Sequence, residues 1–428
     1  MFLPPVPIRR LLPAAVAIAI LAASPALGAP DPLRSQQWNL DTIESDAAHA
    51  TATGAGAIVA VIDSGVLATH PDLGGRLLPG RDFVQDDATP QDGNGHGTHV
   101  TGIVVANKEN GVGVSSVAPG ATVLPLRVLD DDGGGSTTAV AKAIDYAVAQ
   151  GAHVINLSLG SEVPLIGAAG DDEFNAALGR AADANVTIIA AAGNNGTPIC
   201  EQPSVAGRLI CVGAVDKRRA RAAYSSSPGP RGVMAPGGAG VVPFTGEDVL
   251  STWNDGKYRE VAGTSQAAPH VSGAAALLVS LGLRGKAVAD RILATATDAG
   301  TAGPDDVFGN GILSAKAAVA GLEPPGGGVT GKASVASVHR IKTVLKNGIR
   351  VSCRAASAGR CTARIVSGST TIAYGSTKAK AGRTVTVIAK VTKAGRKKLT
   401  AAKKNVSARA EMSIPGAPTR TKALTLKR

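Results

Sequence analysis

The sequence predicts an α/β protein, a parallel sheet flanked by helices, with a small β-rich domain at its C-terminal end. Three observations predict it. From Ala57 onward, short β-branched runs alternate with longer amphipathic stretches, as strands joined by crossover helices require. The runs are almost continuously apolar, which implies burial on both faces and therefore helices on both sides of the sheet. The charge is divided: after Pro325 about 23 lysines and arginines face a single acid, Glu411, so that roughly +22 of charge there leaves roughly −10 for the rest of a chain whose total is +12. Two physically different modules are joined. With 428 residues, 44% hydrophobic and 18% charged, the chain has the material for at least one large core.

Taken in order, residues 1–29 read as a secretory leader. Arg9 and Arg10 precede the apolar run Leu11 to Leu21, and Ala26-Leu27-Gly28-Ala29 offers small residues for cleavage. The run is short of the roughly 20 apolar residues needed to cross a bilayer. An uncleaved anchor and a twin-arginine signal are the alternatives. Residues 30–322 form one domain, with strands expected at Ala57–Ile62, Thr122–Val128, Ala152–Leu157 and Val186–Ala191. Helices are expected at Gly97–Val105, Thr137–Gln150, Glu173–Ala184 and Thr264–Leu281. Residues 323–332, opening with Glu323-Pro324-Pro325-Gly326-Gly327-Gly328, form a linker. Residues 333–428 show short alternating stretches, Thr384–Val391 and Val406–Ile414 among them, and no long amphipathic helix; they predict a small β-sandwich-like module. Cys200, Cys211, Cys353 and Cys361 fall as two close pairs, one in each module. In an oxidising compartment they are expected to bridge as Cys200–Cys211 and Cys353–Cys361, and neither pair has zinc-site spacing.

Three motifs carry chemistry. In Val59-Ala60-Val61-Ile62-Asp63-Ser64-Gly65 a buried strand ends on a carboxylate, at the edge where α/β sheets bind ligands. In Gly93-Asn94-Gly95-His96-Gly97-Thr98-His99-Val100 a histidine opens a helix between glycines, free to project into a cleft. His99 follows three residues later, but the intervening glutamate of a zinc-peptidase helix is absent, which disfavours metal. In Gly263-Thr264-Ser265-Gln266-Ala267-Ala268-Pro269 a serine stands at a helix N-terminus, where backbone N–H groups favour negative charge. Each motif alone has a mundane reading: a turn former, a core histidine, an N-cap. Together they supply what a serine nucleophile needs, a base to accept its proton and an anion to orient and stabilise the imidazolium.

These residues and their order resemble the subtilisin-type serine peptidases, the subtilase family. Ile62-Asp63-Ser64-Gly65, His96-Gly97-Thr98-His99-Val100 and Gly263-Thr264-Ser265 match its three signatures, and the likeness runs from about Gln37 to Phe308-Gly309-Asn310-Gly311-Ile312. The resemblance implies a subtilisin-like sheet and a secreted endopeptidase in which Asp63, His96 and Ser265 form the triad. It also assigns Asn194, in Ala192-Gly193-Asn194-Asn195-Gly196, to the oxyanion, with the Ser265 N–H as second donor. Ser158, Leu159 and Gly160 would form one wall of the S1 pocket, and Gly133, Gly134 and Gly135 the opposite edge, both pairing with extended substrate. No charged residue is evident at the pocket floor, so the expectation is apolar P1 residues and broad specificity.

Three departures from the family stand out. Gln266 replaces the methionine many relatives carry after the nucleophile, and lacks its oxidisable thioether. The few residues between the leader and Gln37 leave no room for the usual N-terminal prodomain. The common calcium site is matched by Asp72, Asn110 and the carbonyls of Val112 and Val114, but its N-terminal glutamine ligand does not align. No cofactor is needed for the chemistry. The basic module is expected to meet an anionic cell-surface polymer, the alternative being a soluble β-module with a charged face; nucleic acid is disfavoured because Tyr374 is the only aromatic after the linker. The competing reading, a catalytically silent scaffold of this fold serving the basic module, is disfavoured by the presence of all four catalytic positions.

Overall fold

A computed structural model describes residues 28–159, 172–201, 209–240, 246–323, 332–355, 359–368, 370–380, 383–414 and 417–428. The expected leader, save Gly28 and Ala29, and most of the expected linker lie outside these residues. In the first module the strands are β1 (Ile58–Asp63), β2 (Arg81–Asp82), β3 (Thr122–Arg127), β4 (Val154–Leu157), β5 (Thr187–Ala191), β6 (Leu209–Val215) and β7 (Val233–Pro236), with a hairpin of β8 (Val249–Thr252) and β9 (Tyr258–Val261). Its helices are α1 (Trp38–Thr42), α2 (Ser45–His49), α3 (His96–Val105), α4 (Thr137–Ala149), α5 (Asp172–Asp183), α6 (Thr264–Ser280), α7 (Lys286–Ala294) and α8 (Ala315–Val319). The strands and helices expected from sequence all form, with ends displaced by one or two residues, as fraying ends are.

Strands β1 to β7 make one parallel sheet in the order β2-β3-β1-β4-β5-β6-β7. Alternation along β1 sorts the helices. Val59 and Val61 face one core with Val100 and Ile103 of α3 and Ala267, Val271 and Ala274 of α6. Ala60 and Ile62 face the other with Val140 and Ile144 of α4 and Phe174 of α5. Helix α6 is buried from Thr264 through Val279, which its run of alanines allows by keeping it thin enough to lie against the sheet. The chain leaves β1, returns as β3 on one side and then as β4 on the other, so the order reverses at β1. A crevice opens at the carboxyl ends of the strands at such a point, and Asp63 is the last residue of β1.

The second module comprises β10 (Lys332–Ser334), β11 (Val338–Arg340), α9 (Ile341–Asn347), β12 (Ile349–Arg354), β13 (Gly359–Ser367), β14 (Thr370–Ala379), β15 (Thr384–Val391), α10 (Lys393–Ala401), β16 (Val406–Ile414) and β17 (Ala417–Lys427). Instead of two sheets packed as a sandwich, these strands form one sheet in the order β10-β12-β15-β14-β13-β16-β17-β11. It curls around a single core to which Val351, Ile365, Ile372, Ala410 and Leu426 all contribute. Strand β10 begins at Lys332, the last residue assigned to the linker. The two short helices were not evident in the sequence, because a seven-residue or nine-residue helix carries too few turns to impose a period. Both expected disulfides, Cys200–Cys211 and Cys353–Cys361, are formed.

Candidate active site

Asp63 ends β1 fully buried, and its Oδ1 accepts hydrogen bonds from the Ser64 N–H at 2.7 Å and from His96 Nδ1 at 2.8 Å. His96 is the first residue of α3, and a buried carboxylate builds that helix start. Asp92 Oδ1 accepts from the N–H groups of Asn94 and Gly95, while its Oδ2 accepts from the N–H and hydroxyl of Thr98 at 2.9 and 2.6 Å. A negative group at a helix N-terminus satisfies orphan donors and complements the dipole. Ser64 donates to Asp92 at 2.9 Å and accepts from the Gly97 N–H, so the strand carrying Asp63 and the helix carrying His96 are fastened together. Burial opposes protonation of His96, but the charge and hydrogen bond of Asp63 and the charge of Asp92 outweigh it, and the imidazole pKa is raised. Nothing in the sequence singled out Asp92; an acid four residues before the histidine was its only signal.

His99 has a different fate. It is fully buried, its Nε2 lies 3.0 Å from the Val249 carbonyl, and burial with the neighbouring charge of His96 drives its pKa down to about 3. It is a neutral core histidine bonded to the β8–β9 hairpin. Among the described residues no group of three His, Cys, Asp or Glu gathers as a metal site.

Ser265 is the second residue of α6 and is nearly buried. Pro269, four residues on, has no N–H, so the Ser265 carbonyl loses its helical partner. The Ser158 hydroxyl replaces it at 2.8 Å. Behind it runs a buried chain: Asn156 Nδ2 donates to Ser158 Oγ, and Ser272 donates to Asn156 Oδ1. The end of β4 is thus bonded to the first turn of α6.

Asn194 follows β5. Its Oδ1 accepts from the Thr264 N–H and hydroxyl, each at 2.9 Å, which fixes the amide and turns Nδ2 outward. A Cβ placed on Gly263 would meet Gln266 Oε1 at 2.9 Å and lie 3.5 Å from Asn194 Nδ2 and 3.6 Å from the Ser265 nitrogen. Two N–H donors and the Gln266 amide oxygen therefore border the point where a side chain on residue 263 would stand. The carboxyl ends of β1 and β5 and the N-termini of α3 and α6, which pack side by side, bring Asp63, His96, Ser265 and Asn194 to one edge of the sheet.

Around this edge, Ser158 and Leu159 are buried beside Ser265, and Gly160 lies outside the described residues. Gly133, Gly134 and Gly135 form a turn after β3, closed by hydrogen bonds between Asp130 and Gly134; Arg127, ion-paired with buried Asp82, bonds the Leu129 carbonyl and Asp131 ahead of it. Gly134 and Gly135 line a depression of about 370 Å³ with Phe83, Val84 and Ala139.

Away from the edge, Asp72 is buried, accepting from Asn110 Nδ2 at 2.8 Å, the Val114 N–H at 2.9 Å and the Tyr258 hydroxyl at 3.3 Å. Asn110 Oδ1 accepts from the Val112 N–H. Asp31, missed in the sequence, bonds the N–H groups of Glu109 and Asn110 in the same loop. Burial, with a contribution from the Asp31 charge, pushes the Asp72 carboxyl up to about 6.

A carboxylate-bound histidine and a serine at a helix N-terminus beside paired N–H donors, on a parallel α/β sheet, define a serine hydrolase class. Residues 54–311 match the model of the subtilase family. Thermitase of Thermoactinomyces vulgaris is 38% identical over 285 residues, 67% of this chain and 94% of thermitase. Subtilisin BL of Lederbergia lenta is 37% identical over 288 residues, 67% of this chain and 99% of that protein. Among solved structures, a protease of Pseudoalteromonas arctica shares 30% identity at a TM-score of 0.59, covering 69% of this chain and 99% of its own. The chain belongs to the subtilase family and is a serine endopeptidase that takes protein or peptide substrates.

Proposed function

We propose that the chain is a secreted endopeptidase in which Ser265 attacks the scissile carbonyl, His96 takes and returns the proton, and Asp63 holds the imidazole by its Nδ1–H. The observation that carries this reading is the 2.8 Å bond between His96 Nδ1 and buried Asp63, which leaves Nε2 as the basic nitrogen. Asn194 Nδ2 and the Ser265 N–H stabilise the tetrahedral oxyanion; losing one such donor in a peptidase of this family costs about 10²–10³ in turnover. Collapse of the intermediate expels the amine, protonated by His96, and water then hydrolyses the acyl-enzyme through the same groups. Ser158 and Leu159 form one wall of the cleft, with Gly160 outside the described residues, and Gly133, Gly134 and Gly135 form the other. Release of peptides from unfolded casein by the exported full-length chain tests the reading. The wild type is expected to cleave and Ser265→Ala to be inert, and cleavage surviving in Ser265→Ala would refute it.

Asp72, Asn110 and the Val112 and Val114 carbonyls, with Asp31, would hold a structural calcium ion. The donors are hard oxygens bearing two carboxylates, the chemistry that ion selects. The C-terminal module binds an anionic cell-surface polymer. Supporting this, Arg350 and Arg354 on β12 face away from the core, and so does Lys390 on β15, two residues from Ile388, the cross-strand partner of Arg350.

A further inference from the structure

The proposed chemistry leaves unused one ionisable group of the cleft, the carboxylate of Glu201. It is held there firmly. Cys200, the preceding residue, is bridged to Cys211 on β6, which pairs with Ala190 at the end of β5, and the Glu201 N–H donates to the Ala192 carbonyl at 3.0 Å. The side chain lies directly against Gly193, the neighbour of Asn194: a Cβ on Gly193 would meet the Glu201 Cδ at 2.2 Å and its two oxygens at 2.3 and 2.5 Å. Gly193 also adopts φ +110°, so the backbone and the carboxylate both require glycine.

The side chain stands against one of two segments that converge on α6. Strands β4 and β5 are parallel neighbours in register at Leu157 and Ala190. Their continuations, Ser158-Leu159 and Ala192-Gly193-Asn194, leave the sheet at the same edge, and both reach α6, through Ser158 to the Ser265 carbonyl and through Asn194 to Thr264. A substrate carbonyl seated between the Ser265 N–H and Asn194 Nδ2 sends the side chain on its acyl side between these two segments, toward Gly193 and the acid behind it.

Glu201 is 5% exposed, and its partners among the described residues are neutral. Oε1 accepts from Ser226 Oγ at 2.6 Å and lies 3.3 Å from Asn195 Nδ2 and Thr197 Oγ1, while among the described residues Oε2 has Asn195 Nδ2 alone, at 3.2 Å. No ion pair is formed with Glu201 by a described lysine, arginine or histidine; the Arg221 guanidinium is spent on the carbonyls of Ser225 and Gly196. A buried anion with neutral partners and a spare acceptor site is stabilised by a cation and penalised by an apolar group pressed against it.

We propose that Glu201 is the floor of the pocket for the P1 side chain and that the enzyme cleaves after lysine or arginine. This replaces the sequence-based expectation of apolar P1 residues, and it rests on the reading of Ser265 and Asn194 as the carbonyl-binding pair. Two measurements separate it from that reading. In turnover of peptides differing only at P1, the wild type is expected to favour Arg and Lys over Leu and Phe by at least about tenfold in kcat/KM. Glu201→Gln, which keeps the shape, is expected to remove that preference while leaving Leu and Phe peptides within about threefold. Binding of p-aminobenzamidine, a small aromatic cation, to the full-length Ser265→Ala protein reads the pocket without turnover. It is expected to weaken at least about tenfold in Ser265→Ala/Glu201→Gln and to persist in Ser265→Ala/Glu201→Asp. A wild-type preference for Leu or Phe, a Glu201→Gln loss shared equally by all four peptides, or cation binding indifferent to Glu201 would each overturn the proposal. An enzyme that turns over no peptide yet binds the cation through Glu201 would overturn the catalytic reading and leave this one standing.

Discussion

At the residue scale, the site is assembled by hydrogen bonds whose necessity is local. Pro269 deprives the Ser265 carbonyl of its helical donor, and a buried carbonyl without a partner costs about 1–3 kcal/mol, so Ser158, the proposed cleft wall, is also the replacement donor. Asn194 is left with its Nδ2 free to face the oxyanion because Thr264 occupies its oxygen twice among the described residues. The charges of Asp63 and Asp92 hold the His96 pKa above the ordinary 6.5 despite burial. Because the neutral imidazole is the base, activity is absent below that raised pKa and appears as the pH rises through it. The acid limb of kcat/KM against pH is therefore expected above 6.5. A limb at or below that value would contradict the account of His96.

At the element scale, most of the peptidase module was legible in the sequence. The continuous apolar runs from Ile58 and Thr187 admit no reading but buried strands, and Asp63, His96, Ser265 and Asn194 sit in short segments whose glycines and flanking strands mark them. What escaped notice depends on contacts between distant segments. Asp92 matters through a helix it precedes, Asp31 through a loop nearly 80 residues away, and Glu201 through a disulfide that carries it to the end of β5. The curled sheet of the second module was likewise hidden, since alternation marks strands but not whether they close into one sheet or two. The loop that carries Asn110, bonded by Asp72 and Asp31, gives a prediction at this scale. Chelation with EDTA is expected to lower the melting temperature of the wild type by several degrees, reversed by calcium, and Asp72→Asn is expected to abolish the difference. Equal melting with and without calcium would remove the ion from the account.

At the scale of the whole molecule, an acidic peptidase of about −10 and a basic module of about +22 are joined by a Pro/Gly segment. Among the described residues no helix is long and apolar enough to cross a membrane. The proposed attachment of the basic module to a surface acts through charge, which is screened over about 8 Å at physiological ionic strength. The full chain is expected to be retained on purified anionic envelope at low salt and released at high salt, with residues 30–322 alone unretained. No retention at low salt would remove adhesion from the function of this module. The central claim, that Ser265 is a nucleophile activated by His96 and Asp63, is tested most directly by reaction with a fluorophosphonate probe followed by mass-spectrometric mapping of the modified residue. The account predicts a single adduct on Ser265, lost in His96→Ala with the fold intact. An unlabelled folded protein, or an adduct on another serine, would contradict it.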